Sequence, residues 1–372
     1  AVLVFLLYPF VTGGSWTDGL FRALVLLVIS CPCALVLSIP LGFFAGIGRA
    51  ARQGILLKGS NYLDALRKVK TVVFDKTGTL TEGVFSVDEV LPRDGVTPEE
   101  LLYWAAYAES SASHPLGRSI VKAYEGSLFR VAELVEVTGG GVSARVEGKA
   151  VLVGKKAFLQ EAGVEAGEEK DRGVTIYVAL DGVLLGRLRL SDRIKPGAEQ
   201  AVRELRGLGV SNLVMLTGDS SSAGAEVGRK LGLDEVFSGL MPADKLEHVR
   251  RLKPEEGLLA FVGDGMNDAP SLAAADIGIA MGGVGSDTAL QAADVVVMKG
   301  DPVAVPQGMV LSRATERIIV QNIVLILGVK LLVMVLGILG LAGMWAAVMA
   351  DVGVCLLAVG NSMRIFRVKL DA

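Results

Sequence analysis

Thr71-Val72-Val73-Phe74-Asp75-Lys76-Thr77-Gly78-Thr79-Leu80-Thr81 is the stretch on which the fold turns. Its first four residues are apolar or β-branched and read as a buried parallel strand. Asp75 then stands at the carboxyl end of that strand, where open α/β sheets bind ligands. Gly78 and the flanking threonines supply backbone N–H groups and hydroxyls able to hold a phosphate. Two places beyond Asp75 stands Thr77, not a second acid that would act as a general acid and speed turnover of an aspartyl-phosphate. An aspartyl-phosphate at Asp75 is therefore expected to persist.

Outward from this run, residues 61–70 read as a helix. The strand–helix alternation then breaks off, and residues ~86 to 187 carry their own pattern. Helices are expected at Pro98 to Ala108 and after His114, and short β-rich runs at Val146 to Val153 and Val174 to Leu180. The alternation resumes with helices at Gly197 to Leu208 and Ser221 to Leu231 and strands at Asn212 to Leu216, Leu258 to Val262 and Asp276 to Ala280. Such alternation predicts a parallel, doubly wound α/β sheet with a domain inserted into it.

The 372 residues suffice for two or three domains. A net charge of −3 gives no electrostatic case for nucleic-acid binding. Half the chain is hydrophobic, and the excess gathers at its ends. Gly19 to Gly46 reads as one membrane span, and Ile318 to about Val359 as a hairpin of two spans turning near Gly340 to Gly343. Arg49, Arg52 and Lys58 follow the first, and Arg364, Arg367 and Lys369 the last, which places those ends and the polar region between them in the cytosol. Ala1 to Val11 is apolar but short, without a basic n-region, and is expected to be the end of a span whose upstream part is missing. Three cysteines are too few for a disulfide framework, and Cys31-Pro32-Cys33 inside an apolar run reads as a reduced metal-binding pair.

Further candidate sites follow the resumed alternation. Thr217-Gly218-Asp219 and Gly263-Asp264-Gly265-Met266-Asn267-Asp268 each follow a strand, and Lys245 lies in Met241-Pro242-Ala243-Asp244-Lys245. All are expected at strand ends. Phosphoryl transfer needs a nucleophile, Mg²⁺ and a cation facing the departing charge. Asp75 supplies the first, Asp264 and Asp268 offer hard oxygen ligands for the second, and Lys245 with Thr217 can hold phosphoryl oxygens. Asp192 reads equally as a hinge, a cap or a chemical group.

The run from Asp75 to Thr81, with these fragments in this order, resembles the P-type ATPases. The resemblance implies phosphorylation of Asp75 by ATP, with Thr77 and Asp264 helping to bind Mg²⁺ and Thr217, Asp219, Lys245, Asn267 and Asp268 completing the site. It implies a HAD-like doubly wound parallel sheet with an inserted α+β nucleotide-binding domain, flanked by transmembrane helices. The boundaries expected are membrane helices over 1–59, a phosphorylation domain over 60–85 and 188–312, a nucleotide-binding domain over 86–187, and a membrane hairpin over 313–372. Glu109, His114, Gly139 and Gly141 resemble the nucleotide pocket of the heavy-metal branch. His114 can stack on adenine and the glycines let backbone approach the nucleotide. His248, in a charged helical stretch, is expected at the surface.

Cys31-Pro32-Cys33 is also the motif of that branch. Pro32 should unwind the helix and turn both thiols into one cavity, where thiolates favour soft and borderline metals. Lys330 and Asp351 are ionisable residues in apolar spans, costly unless functional. About 17 Å before and 14 Å after the hairpin turn, both reach the bilayer midplane and can meet the cysteines. An acid with two thiols suits a divalent ion, with Lys330 as counterion when metal is absent. The Lys330, Asp351 and Gly353 pattern is similar to the zinc, cadmium and lead exporters. The copper branch carries Asn and Tyr, then Met and Ser; here Asn322 lies too near the cytosolic end and Met349 lacks a Ser partner. Cys355 is expected to pack. The family's Thr-Gly-Glu actuator loop is not in this sequence, so the chain is expected to be the later part of a pump in a bacterial-type plasma membrane. It is not expected to complete a transport cycle alone. A copper(I) exporter and a membrane-tethered phosphatase or split subunit stand as alternatives.

Overall fold

Strand β2 (Val69–Asp75) lies at the centre of a seven-stranded sheet, between β11 (Leu258–Gly263) and β9 (Asn212–Leu216). In this computed structural model, residues 1–111, 115–128, 134–137, 140–165, 174–219, 221–264, 268–282 and 291–370 are described. The sheet order is β1-β13-β12-β11-β2-β9-β10, where β1 is Ile55–Leu57, β10 Glu235–Phe237, β12 Ile277–Met281 and β13 Val295–Val297. All its pairs are parallel except the edge pair β1 with β13. Helices cover both faces, so the central strands are buried on both sides and read as unbroken apolar runs. Val72, Phe74, Leu213 and Met215 face one core, and Val73, Val214, Leu216 and Phe261 the other. The carboxyl ends of β2, β9 and β11 consequently meet at one edge.

The inserted part forms a six-stranded antiparallel sheet of order β3-β8-β7-β6-β5-β4. Its strands are β3 (Thr81–Pro92), β4 (Leu134–Val137), β5 (Gly141–Val146), β6 (Lys149–Gly154), β7 (Val174–Leu180) and β8 (Val183–Ile194). Helix Pro98–Ala108 begins where Thr97 Oγ1 accepts from the Glu100 N–H at 3.1 Å, and Pro98 needs no such donor partner. Its Leu101, Trp104 and Ala105 pack against Val142, Val151 and Val178. Most of the β-rich run expected at Val146 to Val153 is strand β6, and its first residues close a hairpin with β5. Glu147 (φ 51°) and Gly148 (φ 79°) turn the chain between β5 and β6, a positive-φ pair of the kind that matches the twist of a two-residue hairpin.

The expected single span over Gly19 to Gly46 is two helices, Trp16–Ile29 and Cys33–Arg52, broken at residues 30–32. Pro32 lacks the N–H that would continue the helix and so sits before the first residue of the second one. Cys33–Arg52, Ala304–Ile338 and Met344–Arg367 are each long and apolar enough to cross a membrane. The turn after Ile338 uses Gly340 at φ 77°. Ala304–Ile338 starts inside the main core, where Val305, Met309 and Leu311 pack, and runs on unbroken into the apolar bundle. Close packing needs glycine at two points. A Cβ on Gly42 would stand 2.7 Å from Ile319, and one on Gly46 would stand 2.5 Å from Leu63 and 2.8 Å from Thr315 Oγ1. Asn322, fully buried, donates to the Ala358 carbonyl (3.1 Å) and Ser362 Oγ (2.9 Å) and accepts from Asn361 (2.8 Å), pinning the hairpin together.

Candidate active site and ion site

Asp75, 5% exposed, ends β2 with its carboxylate facing Lys245. Lys245 Nζ donates to Asp75 Oδ1 and, at 2.9 Å, to Asp268 Oδ1. Lys245 is not at a strand end, as expected from sequence, but in the first turn of helix Pro242–Arg251. From there a long side chain reaches across to two strand ends. Asp268 precedes helix Ala269–Ala274 without capping it, because its carboxylate is turned to Lys245. Asp264 closes in from β11: a Cβ on Gly78 (φ 74°) would stand 2.7 Å from its Oδ2. Burial, with Asp268 beside it, pushes the Asp75 carboxyl up to about 7, with Lys245 opposing. Burial likewise raises Asp268. Lys245 loses by burial but is held above the usual lysine range by both carboxylates. Two carboxylates share the Lys245 ammonium, and Asp264 stands beside them facing Lys195; hard oxygen donors gathered in this way suit a divalent cation. Among the described residues no three acid, His or Cys side chains form a ready-made ion cage; the Lys245 ammonium stands between Asp75 and Asp268.

The remaining expected residues gather around this centre. Thr217, buried after β9, accepts from the Asp219 N–H at 3.1 Å through Oγ1. Thr77 is exposed beside Gly83. Asp219 ion-pairs with Lys76. Asn267 lies outside the described residues. Two lysines not marked out by sequence join the site. Lys76 is buried and also faces Asp192 at 3.7 Å. Lys195 donates to the carbonyls of Gly78 (2.5 Å) and Gly300 (2.8 Å), tying the loop after Asp75 to the core; burial lowers it from the usual lysine range. Asp192 resolves to a tie between neighbouring strands β8 and β3, accepting from Thr81 Oγ1 and from the Gly83 N–H at 2.9 Å. The Thr79 hydroxyl is buried with no hydrogen-bond partner.

A cavity of about 300 Å³ opens in the antiparallel sheet, lined by Glu109, Glu136, Gly140, Gly141 and Lys155. Burial and the Glu136 charge push Glu109 up to about 7. The bare Cα of Gly141 answers first to the sheet, since a Cβ there would stand 2.3 Å from the Val153 carbonyl and 2.8 Å from Phe158. His114 and Gly139 lie outside the described residues. Val174 lines this cavity and also a cleft of about 590 Å³ that holds Lys76, Asp192 and Asp219. The two spaces therefore share a wall at Val174. His248, expected at the surface, is half-buried with its ring 4.3 Å from Phe237.

In the bundle, Lys330 Nζ donates to Asp351 Oδ1 and to the Cys31 carbonyl, each at 2.6 Å. The unwound Cys31-Pro32-Cys33 segment frees that carbonyl. It also swings Cys31 and Cys33 to the same side, Cα atoms 5.5 Å apart. The expectation of a reduced pair is corrected here: the two sulfurs are joined as a disulfide. A continuous helix would point residues i and i+2 apart, whereas the break at Pro32 lets them meet. Thiolates, not disulfide sulfurs, are metal ligands, so the paired sulfurs of this form offer no ligand. Cys355 packs partly buried among Ala34, Ile326, Val354 and Ala358.

The haloacid dehalogenase-like hydrolase family model matches residues 69–276. A cadmium, zinc and cobalt-transporting ATPase of Bacillus subtilis is 48% identical over 99% of this chain and 53% of its own length. A zinc-transporting ATPase of Synechocystis is 48% identical over 98% of this chain and 51% of its own length. A crystal structure of a zinc-transporting PIB-type ATPase in an E2.Pi state superposes with a TM-score of 0.87, 38% identical, over 98% of this chain and 61% of that one. The chain thus spans about half the length of these curated relatives. With a match that takes in β2, Asp75, Lys245 and β11, the chain belongs to the haloacid dehalogenase-like hydrolases, and its relatives within them are the cadmium- and zinc-transporting P-type ATPases.

Proposed function

We propose that this chain is the catalytic and membrane core of an ATP-driven exporter of a divalent heavy-metal ion: zinc, cadmium or lead. The observation that carries the reading is the Lys245 ammonium held between Asp75 and Asp268 at one sheet edge. In the proposed reaction an Asp75 carboxylate oxygen attacks the γ-phosphorus of ATP. The bond from that phosphorus to the bridging oxygen breaks, ADP leaves, and Asp75 becomes an acyl phosphate. Lys245 opposes the rise that burial and Asp268 impose on Asp75 and then faces the phosphoryl oxygens; Thr217 hydrogen-bonds one of them. Mg²⁺, when bound, would neutralise charge on the transferring phosphoryl group, and Asp75, Thr77, Asp264 and Asp268 are the residues that would hold it. Lys76 and Lys195 fix the loop that carries the nucleophile. The cavity at Glu109 takes the base, and the adjoining cleft takes the phosphates toward Lys76.

The transported ion is proposed to bind Cys31, Cys33 and Asp351 after reduction of the cysteines, displacing Lys330 from Asp351; Lys330 returns to Asp351 as counterion when the ion leaves. A carboxylate among the ligands favours a divalent borderline ion over copper(I). Inside-out vesicles bearing the pump that contains this chain should take up zinc or cadmium on addition of ATP, and Asp75→Asn should abolish uptake. Uptake of copper(I) in place of zinc and cadmium would overturn the ion assignment, and ATP-driven uptake by Asp75→Asn would overturn the mechanism.

A further inference from the structure

Helix Ala304–Ile338 carries an open groove of about 750 Å³ on its outer face. Its upper end is basic and its lower end apolar. Arg317 is exposed and has no ion-pair partner among the described residues. Arg313 and Glu316, which share the upper end, are already engaged. Arg313 donates to the Leu208 carbonyl, and Glu316 pairs with Arg67 at 3.0 Å. One turn below, the wall is Val320 (47% exposed), Val324 (65%) and Leu325 (38%). From Arg317 to Ile338 the helix rises about 32 Å, close to the ~30 Å thickness of a hydrocarbon core. Arg317 is thus at the headgroup level on the side of the soluble domains, and the valines lie at acyl-chain depth. A second cation is nearby. Arg364 donates to Asn361 Oδ1 at 2.8 Å, and Asn361 donates to Gln321 of the groove at 3.4 Å.

The geometry points to a binding site for one anionic phospholipid of the cytosolic leaflet, its phosphate on Arg317 and an acyl chain along Val320, Val324 and Leu325. Charge complementarity selects this occupant: an unpaired guanidinium at headgroup level attracts an anionic lipid, and an apolar wall below it excludes a free ion as sole ligand. The inference rests on the membrane-spanning reading and not on the ATPase reading. Its value to the protein is mechanical. The groove lies on the helix that continues from the phosphorylation-domain core to Lys330, so a lipid there holds that helix at a fixed depth.

The test uses the full chain in nanodiscs of equal phosphatidylglycerol and phosphatidylcholine, released and analysed by native mass spectrometry. One phosphatidylglycerol per chain should be retained about fivefold over phosphatidylcholine, as expected for one well-placed cation at the membrane surface. Arg317→Gln should bring the ratio near unity, Arg317→Lys should keep it, and Arg52→Gln should leave it unchanged. Equal retention of the two lipids by the wild type overturns the site. So does an equal loss in Arg317→Gln and Arg52→Gln, which would mean a diffuse basic rim. Displacement of the lipid by millimolar inorganic phosphate, or a dimer that Arg317→Gln disperses, would assign the face to a free anion or to a second copy and overturns it as well.

Discussion

Asp75 and Lys245 lie 170 residues apart in sequence and touch in space. Removing the ammonium should leave Asp75 and Asp268 as uncompensated buried carboxylates. Lys245→Met is expected to lower the rate of phosphoenzyme formation by roughly 10²–10³-fold, measured by rapid acid quench with labelled ATP. Nucleotide affinity should fall less than the rate, because the cavity at Glu109 is not lined by Lys245. Glu109 makes its own prediction. Its carboxyl sits at about 7 in the folded chain against an ordinary 4.5, so the folded state holds a proton that the unfolded state has released. Stability is therefore fully present below pH 4.5 and declines as pH rises toward 7. Glu109→Gln should flatten that decline and leave the variant more stable at pH 8 by up to about 3 kcal/mol, followed by tryptophan fluorescence in denaturant. Asp75 is legible in the sequence because strand and loop chemistry are local. The engagement of Lys76, Asp192 and Lys195 is not, since each is defined by partners on other strands.

At the scale of elements, the parallel strands and their flanking helices are legible from periodicity, because strands buried on both faces carry unbroken apolar runs. The β-rich run at Val146 to Val153 is mostly strand β6; composition alone does not mark the two-residue turn Glu147-Gly148 at its start. The unwinding expected at Pro32 is present, and hydropathy misses only that it divides the apolar run into two helices, Trp16–Ile29 and Cys33–Arg52. The break has a measurable consequence: the chain should bind cadmium only after reduction of Cys31 and Cys33, and Asp351→Asn should weaken that binding by at least about tenfold, by equilibrium dialysis. Glycines on Cys33–Arg52 read from sequence only as small residues; their purpose appears where helices meet. Gly46→Ala should cost about 1–3 kcal/mol, seen as a lower melting temperature, because its Cβ collides with Leu63 and Thr315.

On the scale of the whole molecule, one helix joins two chemistries. Ala304–Ile338 is rooted in the core beneath the sheet and ends its polar business at Lys330, which bridges Asp351 and Cys31. The helix is continuous between these two ends. The connection is half legible in sequence: the apolar span is plain, but its continuation into the soluble core is set by tertiary packing at Met309, Leu311 and Ser312. Phosphorylation of Asp75 by ATP is the step on which every other proposed role of the sheet edge depends. The direct measurement is incubation of the reduced chain with γ-labelled ATP and Mg²⁺, followed by acid quench. Acid-stable label on the wild-type chain, absent from Asp75→Asn and released by hydroxylamine, is the predicted result. No label on the wild type, or equal label on Asp75→Asn, would contradict it.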